Sequence, residues 1–220
     1  MSQQAILAGL IGRGIQLSRT PALHEHEGDA QALRYLYRLI DADQLQLEDS
    51  ALPGLLEAAQ HTGFTGLNIT YPFKQAILPL LDELSDEARG IGAVNTVVLK
   101  DGKRVGHNTD CLGFAEGFRR GLPNVSRRRV VQMGAGGAGA AVAHALLAEG
   151  VERLCLFEVE PGRAQALADN LNAHFGAGRA VAGEDLAGEV AAVATAEQAG
   201  AEAEREKTRQ AFAQSGLRTA

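Results

Sequence analysis

The sequence predicts an α/β protein in two parts, and three observations carry that reading. Short apolar runs alternate with helical stretches from Ala5 onward. A glycine-rich junction between a strand and a helix stands at Gly134–Gly139, deep inside the chain. Beyond it come only two further short apolar runs, near Leu154 and near Arg179–Ala182, which is too few for a full second sheet. We therefore expect an α/β domain over 1–108, a partial nucleotide-binding domain over 109–193, and an Ala/Glu-rich tail, helical or disordered, over 194–220.

The chain has 220 residues, 45% hydrophobic and 22% charged, with net charge −6. That is the balance of a soluble globular protein. An acidic chain is a poor partner for nucleic acid, and the basic run Arg127-Arg128-Arg129 reads as a solvated loop before a strand. No apolar stretch approaches the roughly 20 residues of a membrane span, so we expect no membrane association. Two cysteines, Cys111 and Cys155, make no disulfide framework and fit a reducing cytoplasm.

In chain order, Ala5–Ile11 reads as a strand, broken at Gly12-Arg13-Gly14. Ser18-Arg19-Thr20-Pro21 follows, then a helix expected over Pro21–Leu39 with Leu33, Leu36, Tyr37 and Ile40 as its stripe. Ser18 and Thr20 either cap that helix or hold an anion such as a substrate carboxylate. His24 and His26 form a His-x-His pair, but without a wider cluster they read as surface helix residues, and no metal is expected. Leu45–Leu47 is expected as a second strand, Pro53–Thr62 as a helix, and Gly66–Thr70 as a third strand. On that strand Asn68 and Thr70 alternate with Leu67 and Ile69, which puts both polar residues on one face.

Pro72 then opens a helix with Lys74 in its first turn. Cations are favoured at the other end of a helix, so this lysine is electrostatically out of place. It is either a tolerated exposed lysine or one set up to exchange protons. Further on we expect a Ser85-capped helix over Asp86–Arg89, a strand over Ala93–Leu99, an Asp101-Gly102 hairpin, and a return strand over Lys103–Asn108. Thr109-Asp110 should cap a helix over Cys111–Arg120. Asp110 is thus a cap or a catalytic carboxylate.

Val130–Met133 reads as a strand, and Gly134-Ala135-Gly136-Gly137-Ala138-Gly139 as a Gly-x-Gly-x-x-Gly turn before a helix over Ala140–Glu149. In that pattern the first glycine allows the turn, the second lets backbone approach a pyrophosphate, and the third lets the helix pack closely. The helix N-terminus faces the anion. A second strand, Arg153–Phe157, ends in Glu158, which is placed to accept hydrogen bonds from an adenosine ribose. That suits NAD rather than NADP, although Arg163 lies close by in sequence.

The motifs in this order resemble the shikimate/quinate dehydrogenase family: Ser18-Arg19-Thr20-Pro21, then Gly66 through Lys74, then Gly92-Ala93-Val94-Asn95-Thr96-Val97, then Gly106-His107-Asn108-Thr109-Asp110, then the glycine turn. The resemblance covers about 5–190. It implies that Ser18 and Thr20 hold the substrate carboxylate, that Thr70 and Asn95 bind ring hydroxyls with Asn68 beside them, and that Lys74 and Asp110 are the catalytic dyad. It also implies that the ligand is a cyclic hydroxy acid (quinate, shikimate or their dehydro forms). Glu158 and Arg163 would border the adenosine ribose. Thr20 and Glu158 together resemble the NAD-using quinate/shikimate branch.

The resemblance stops near Val190. The expectation is a truncated or frame-shifted member with an open sheet edge that invites a homodimer. Three readings stay open: an active NAD-dependent dehydrogenase, a non-catalytic fragment that binds substrate or nucleotide weakly, or another two-domain enzyme such as a methylenetetrahydrofolate dehydrogenase. The Ser18/Thr20 pair and Asn95-Thr96 argue against the last.

Overall fold

The computed structural model describes residues 5–160 and 162–195. It is an α/β protein whose described residues divide into two compact units. One runs to Phe114 and takes in Ala140–Val142; the other holds the rest.

The first unit is built on a six-stranded mixed sheet. Its strands are β1 (Ala5–Gly12), β2 (Arg34–Asp41), β3 (Gly66–Ile69), β4 (Glu83–Leu84), β5 (Thr96–Lys100) and β6 (Lys103–His107), in the order β2-β1-β3-β5-β6-β4. β1 lies parallel to both β2 and β3, and β5 is antiparallel to β3 and β6. Alternation sorts the side chains between two faces. Ile11, Leu67, Ile69 and Val97 enter one core with Leu56 and Phe73. Ala8, Leu10 and Tyr37 enter another. The helices are α1 (Thr20–Ala30), α2 (Leu52–His61), the single turn α3 (Phe73–Ala76), and α4 (Asp86–Ile91), followed by α5 (Asp110–Gly121).

Several expectations are corrected here. The single helix over Pro21–Leu39 is instead α1 followed by β2. A Cβ on Gly28 would lie 2.4 Å from Tyr35 Cβ, so helix and strand press together at this glycine and the chain reverses between them. Ala32, at φ 56°, takes that reversal. The stripe read as helical is a strand pattern: Tyr35, Tyr37 and Leu39 share one face, and Ile40 joins the opposite core. Leu45–Leu47 is a turn, closed by Leu47 N–H donating to Ala42 O at 2.9 Å, with Gln46 at φ 54°. The strand expected from Ala93 starts at Thr96. The N–H of Val94 donates to Lys74 O (2.8 Å) in α3 instead of to a neighbouring strand.

Other elements form as their chemistry dictates. Asp101 and Gly102 both have positive φ, 52° and 77°, as a tight two-residue hairpin requires. Ser85 Oγ accepts from Ala88 N–H at the start of α4.

The second unit carries three parallel strands, β7 (Arg129–Met133), β8 (Arg153–Phe157) and β9 (Ala180–Ala182), in sequence order. Helices α6 (Gly137–Ala148) and α7 (Arg163–Phe175) connect them. α6 starts three residues earlier than expected, at the glycines themselves. Residues 186–195 are helical, and Glu189 there pairs with Arg129 of β7 at 2.5 Å. Cys155 is fully buried in β8, where burial pushes its thiol pKa up. The expected tail lies, from residue 196 on, outside the described residues. Among those described, no helix is long and apolar enough to cross a membrane.

Candidate active site

Lys74 stands in the single turn α3, between Phe73 and Ile77, which are both sealed into the core. A helix of four residues has no separate ends, so the dipole argument made from the sequence does not apply; a carboxylate sets the local field instead. Lys74 Nζ donates to Asp110 Oδ2 at 2.5 Å, with the two side chains 16% and 35% exposed. The pair is sheltered from bulk water yet open to a small molecule.

Asp110 does not cap its helix. Asn108, itself buried, accepts from Asp110 N–H at 3.1 Å and from Cys111 N–H at 3.3 Å. That leaves the Asp110 carboxylate for side-chain partners. Its Oδ1 accepts from Asn95 Nδ2 at 2.9 Å. Asn95, 8% exposed, also donates to Thr109 Oγ1 (2.9 Å) and accepts from Thr109 N–H (2.9 Å) and Thr96 Oγ1 (3.0 Å). Lys74, Asn95 and Asp110 therefore form one bonded cluster, each member fixed before any ligand arrives.

Asn68 joins this cluster from β3. Its Nδ2 donates to Thr96 Oγ1 at 3.2 Å, and its Oδ1 accepts from Tyr37 Oη at 2.6 Å. His24 stacks on both Tyr35 and Tyr37, with centroids 5.7 and 4.6 Å apart. Its pKa is lowered by burial. Thr70 follows β3, where its N–H donates to Ile11 O at 3.0 Å. Ser18 and Thr20 form their own pair, Oγ to Oγ1 at 2.7 Å, and Ser18 Oγ accepts from Thr20 N–H at 3.2 Å. The N-cap residue of α1, Arg19, makes no side-chain cap bond, but Ser18 Oγ takes the N–H of Thr20, the first residue of α1, so Ser18 serves the helix start from one position earlier. The loop ahead of them is anchored by Asp41. This buried carboxylate accepts from Gly14 N–H, Ile15 N–H and Gln16 Nε2 at 2.9–3.0 Å. Burial pushes its pKa up, but the Gln16 amide and the N–H groups of Ile15, Gly14 and Asp43 outweigh burial and hold it below the usual carboxylate range.

In the second unit the glycine turn is built from backbone. Gly134 sits at φ 104°, which favours glycine. A Cβ on Gly136 would meet nothing within 4 Å, so the approach to its backbone is open. A Cβ on Gly139 would lie 2.2 Å from Gly134 O. Gly136 is the N-cap of α6, with no side chain capping it, and Gly137 and Ala138 open the first turn. Glu158 leaves β8 and accepts from Ala135 N–H at 2.8 Å and Val159 N–H at 2.7 Å. These N–H groups, Ala135 first, hold its pKa below the usual range. Arg163 begins α7 and pairs with Glu160 at 3.0 Å. An open backbone turn at a helix N-terminus, with a carboxylate at the end of the next strand, fits a dinucleotide.

Reading the sequence missed Asp41 and Gln132, and gave Tyr37 and Thr109 only structural places, in a helix stripe and at a helix start. Only Gln132 carried a signal there, as a polar residue within the apolar run Val130–Met133.

The chain thus comprises a mixed α/β unit with a lysine–carboxylate cluster and a Rossmann-type unit. Residues 10–97 match the family model described as the shikimate dehydrogenase substrate binding domain. The chain is 52% identical over 198 residues to a quinate/shikimate dehydrogenase (NAD(+)) of Corynebacterium efficiens, covering 90% of this chain and 69% of that one. It is 57% identical over 182 residues to a shikimate dehydrogenase (NADP(+)) of Streptomyces avermitilis, covering 83% and 62%. The structure of quinate dehydrogenase from Corynebacterium glutamicum in complex with NAD superposes with a TM-score of 0.74 at 50% identity, covering 82% of this chain and 64% of that one. The chain belongs to the shikimate/quinate dehydrogenase family. It spans about two thirds of the length of these relatives.

Proposed function

We propose that the chain oxidises quinate and shikimate, and reduces their 3-dehydro forms, with NAD(H). Residues 1–108 hold the acid and 109–193 the nucleotide. The observation that supports this most directly is the Lys74–Asp110 pair at 2.5 Å, tied to Asn95. In oxidation, Lys74 takes the proton of the hydroxyl being oxidised as hydride leaves the same carbon. Asp110 stabilises the ammonium that results. In reduction, the ammonium returns that proton to the carbonyl oxygen. When bound, the nicotinamide takes or supplies the hydride. Ser18 and Thr20 hold the substrate carboxylate, and Thr70 and Asn95 its ring hydroxyls. Asn68, engaged at both ends by Tyr37 and Thr96, aligns that wall.

Gly134 to Gly139 hold the pyrophosphate, and Glu158 and Arg163 border the adenosine ribose. A carboxylate at Glu158 disfavours a 2′-phosphate, so NAD is preferred to NADP. The test is NADH formation by the purified chain, given NAD with quinate and then with shikimate, beside Lys74→Ala. Turnover lost in the variant is expected. No turnover with either acid would overturn the dehydrogenase reading, and a higher kcat/KM with NADP would overturn the cofactor preference.

A further inference from the structure

One buried side chain touches the glycine turn without belonging to it. Gln132, on β7, is 8% exposed. Its Nε2 donates to Gly134 O at 2.9 Å and to Gly139 O at 2.8 Å. These are the carbonyls of the first and last glycines of the motif. One NH2 group therefore clips together the two ends of the Gly-x-Gly-x-x-Gly turn. Its Oε1 is buried and has no hydrogen-bond partner among the described residues. A buried orphan oxygen is unfavourable, and an apolar side chain of the same size would avoid it. The amide thus gains nothing from its oxygen, and its value lies in the two bonds of its nitrogen.

Gly139 makes room for this clip. A Cβ there would come within 3.3 Å of Gln132 Nε2, besides striking Gly134 O. Glu158 adds an independent tie, bonding Ala135 N–H from the end of β8. With the carbonyls held from β7 and that N–H held from β8, the turn keeps one shape without a ligand.

We propose that Gln132 is a positioning residue for the pyrophosphate. It fixes the turn so that the backbone N–H groups meet the anion without rearranging, although Gln132 itself makes no contact with the nucleotide. This rests on the nucleotide-binding reading above. Affinity gained this way is preorganisation, and it should be specific to ligands that carry the pyrophosphate.

The experiment compares wild type with Gln132→Met, which keeps the side-chain volume and removes the amide. Binding of NAD and ADP is measured by calorimetry, binding of adenosine by ligand-observed NMR, and Tm on the same samples. We expect NAD and ADP to bind about tenfold more weakly to the variant and adenosine to bind unchanged, with Tm showing that the variant is folded at the temperature of the binding measurements. Unchanged ADP affinity in the variant would overturn the proposal. So would an equal loss for adenosine and ADP, which would mark general damage to the unit. A wild-type chain that binds neither NAD nor ADP would strike down the nucleotide reading itself, an outcome visible before any variant is made.

Discussion

The lysine–carboxylate cluster of the first unit and the glycine turn of the second are built on opposite principles. In the first unit, side chains carry the chemistry and backbone supports them: Lys74, Asp110 and Asn95 bond one another while Asn108 and the N–H groups of Val94 and Asn95 hold their frames. In the second, backbone forms the surface proposed to bind the nucleotide and side chains support it, through Gln132 on the carbonyls and Glu158 on an N–H. A site made of side chains fails when a functional group is removed. A site made of backbone fails when an atom is added.

Asp110→Ala tests the first half most severely. It removes the counter-ion of Lys74 and an acceptor of Asn95 together. Turnover should fall about a thousandfold, while near-native circular dichroism shows that the fold persists. Gly139→Ala tests the second half by adding one carbon 2.2 Å from Gly134 O. Backbone must move, at about 2 kcal/mol, read as a lower midpoint in urea, and NAD affinity should drop with it. If Gly139→Ala were harmless and Asp110→Ala unfolded the chain, the contrast would be reversed.

A smaller effect is expected at Thr20→Ser. It keeps the hydroxyl bonded to Ser18 Oγ and should move the ratio of specificity constants severalfold toward shikimate. An unchanged ratio would remove Thr20 from substrate choice.

The smallest effect concerns Asp41, whose carboxyl is held below its ordinary value of about 3.9. The sign follows from linkage. Its contribution is complete above about pH 4 and is lost as pH falls through the lower folded-state value. Tm measured against pH should therefore drop less steeply below pH 4 in Asp41→Asn than in wild type. Parallel curves would mean that the loop before Ser18 does not depend on this charge.

The contrast also explains what could be read in advance. The second unit was legible because glycine spacing records where backbone must turn or approach, and β7, α6 and β8 formed around Gly134–Gly139 nearly as expected. Lys74 and Asp110 were each legible as candidates from their local setting, but their pairing, 36 residues apart in sequence, was expected only through the family resemblance. Asp110 read equally well as a cap, since only tertiary structure assigns that task to Asn108. The division of Pro21–Leu39 into α1 and β2 was hidden because the apolar residues at 33, 36, 37 and 40 fall at helical spacing, while the alternation of Tyr35, Tyr37 and Leu39 that marks β2 runs through the same stretch; Gly28 lies pressed against Tyr35 where the two elements meet. The roles of Asp41 and Tyr37 were invisible because each acts through partners distant in sequence.

The close approach of β1 to Thr70 has an evolutionary consequence. A Cβ on Gly12 would fall 2.3 Å from Thr70 Cγ2 and 2.9 Å from Ile15 Cγ2. Alanine at 12 requires both methyl groups to shift and Tyr71 O, at 3.3 Å, to give slightly. Serine at 70 would clear the nearest obstacle and keep the hydroxyl. These three positions are therefore coupled, and a lineage that carries threonine at 70 and isoleucine at 15 is biased towards keeping glycine at 12.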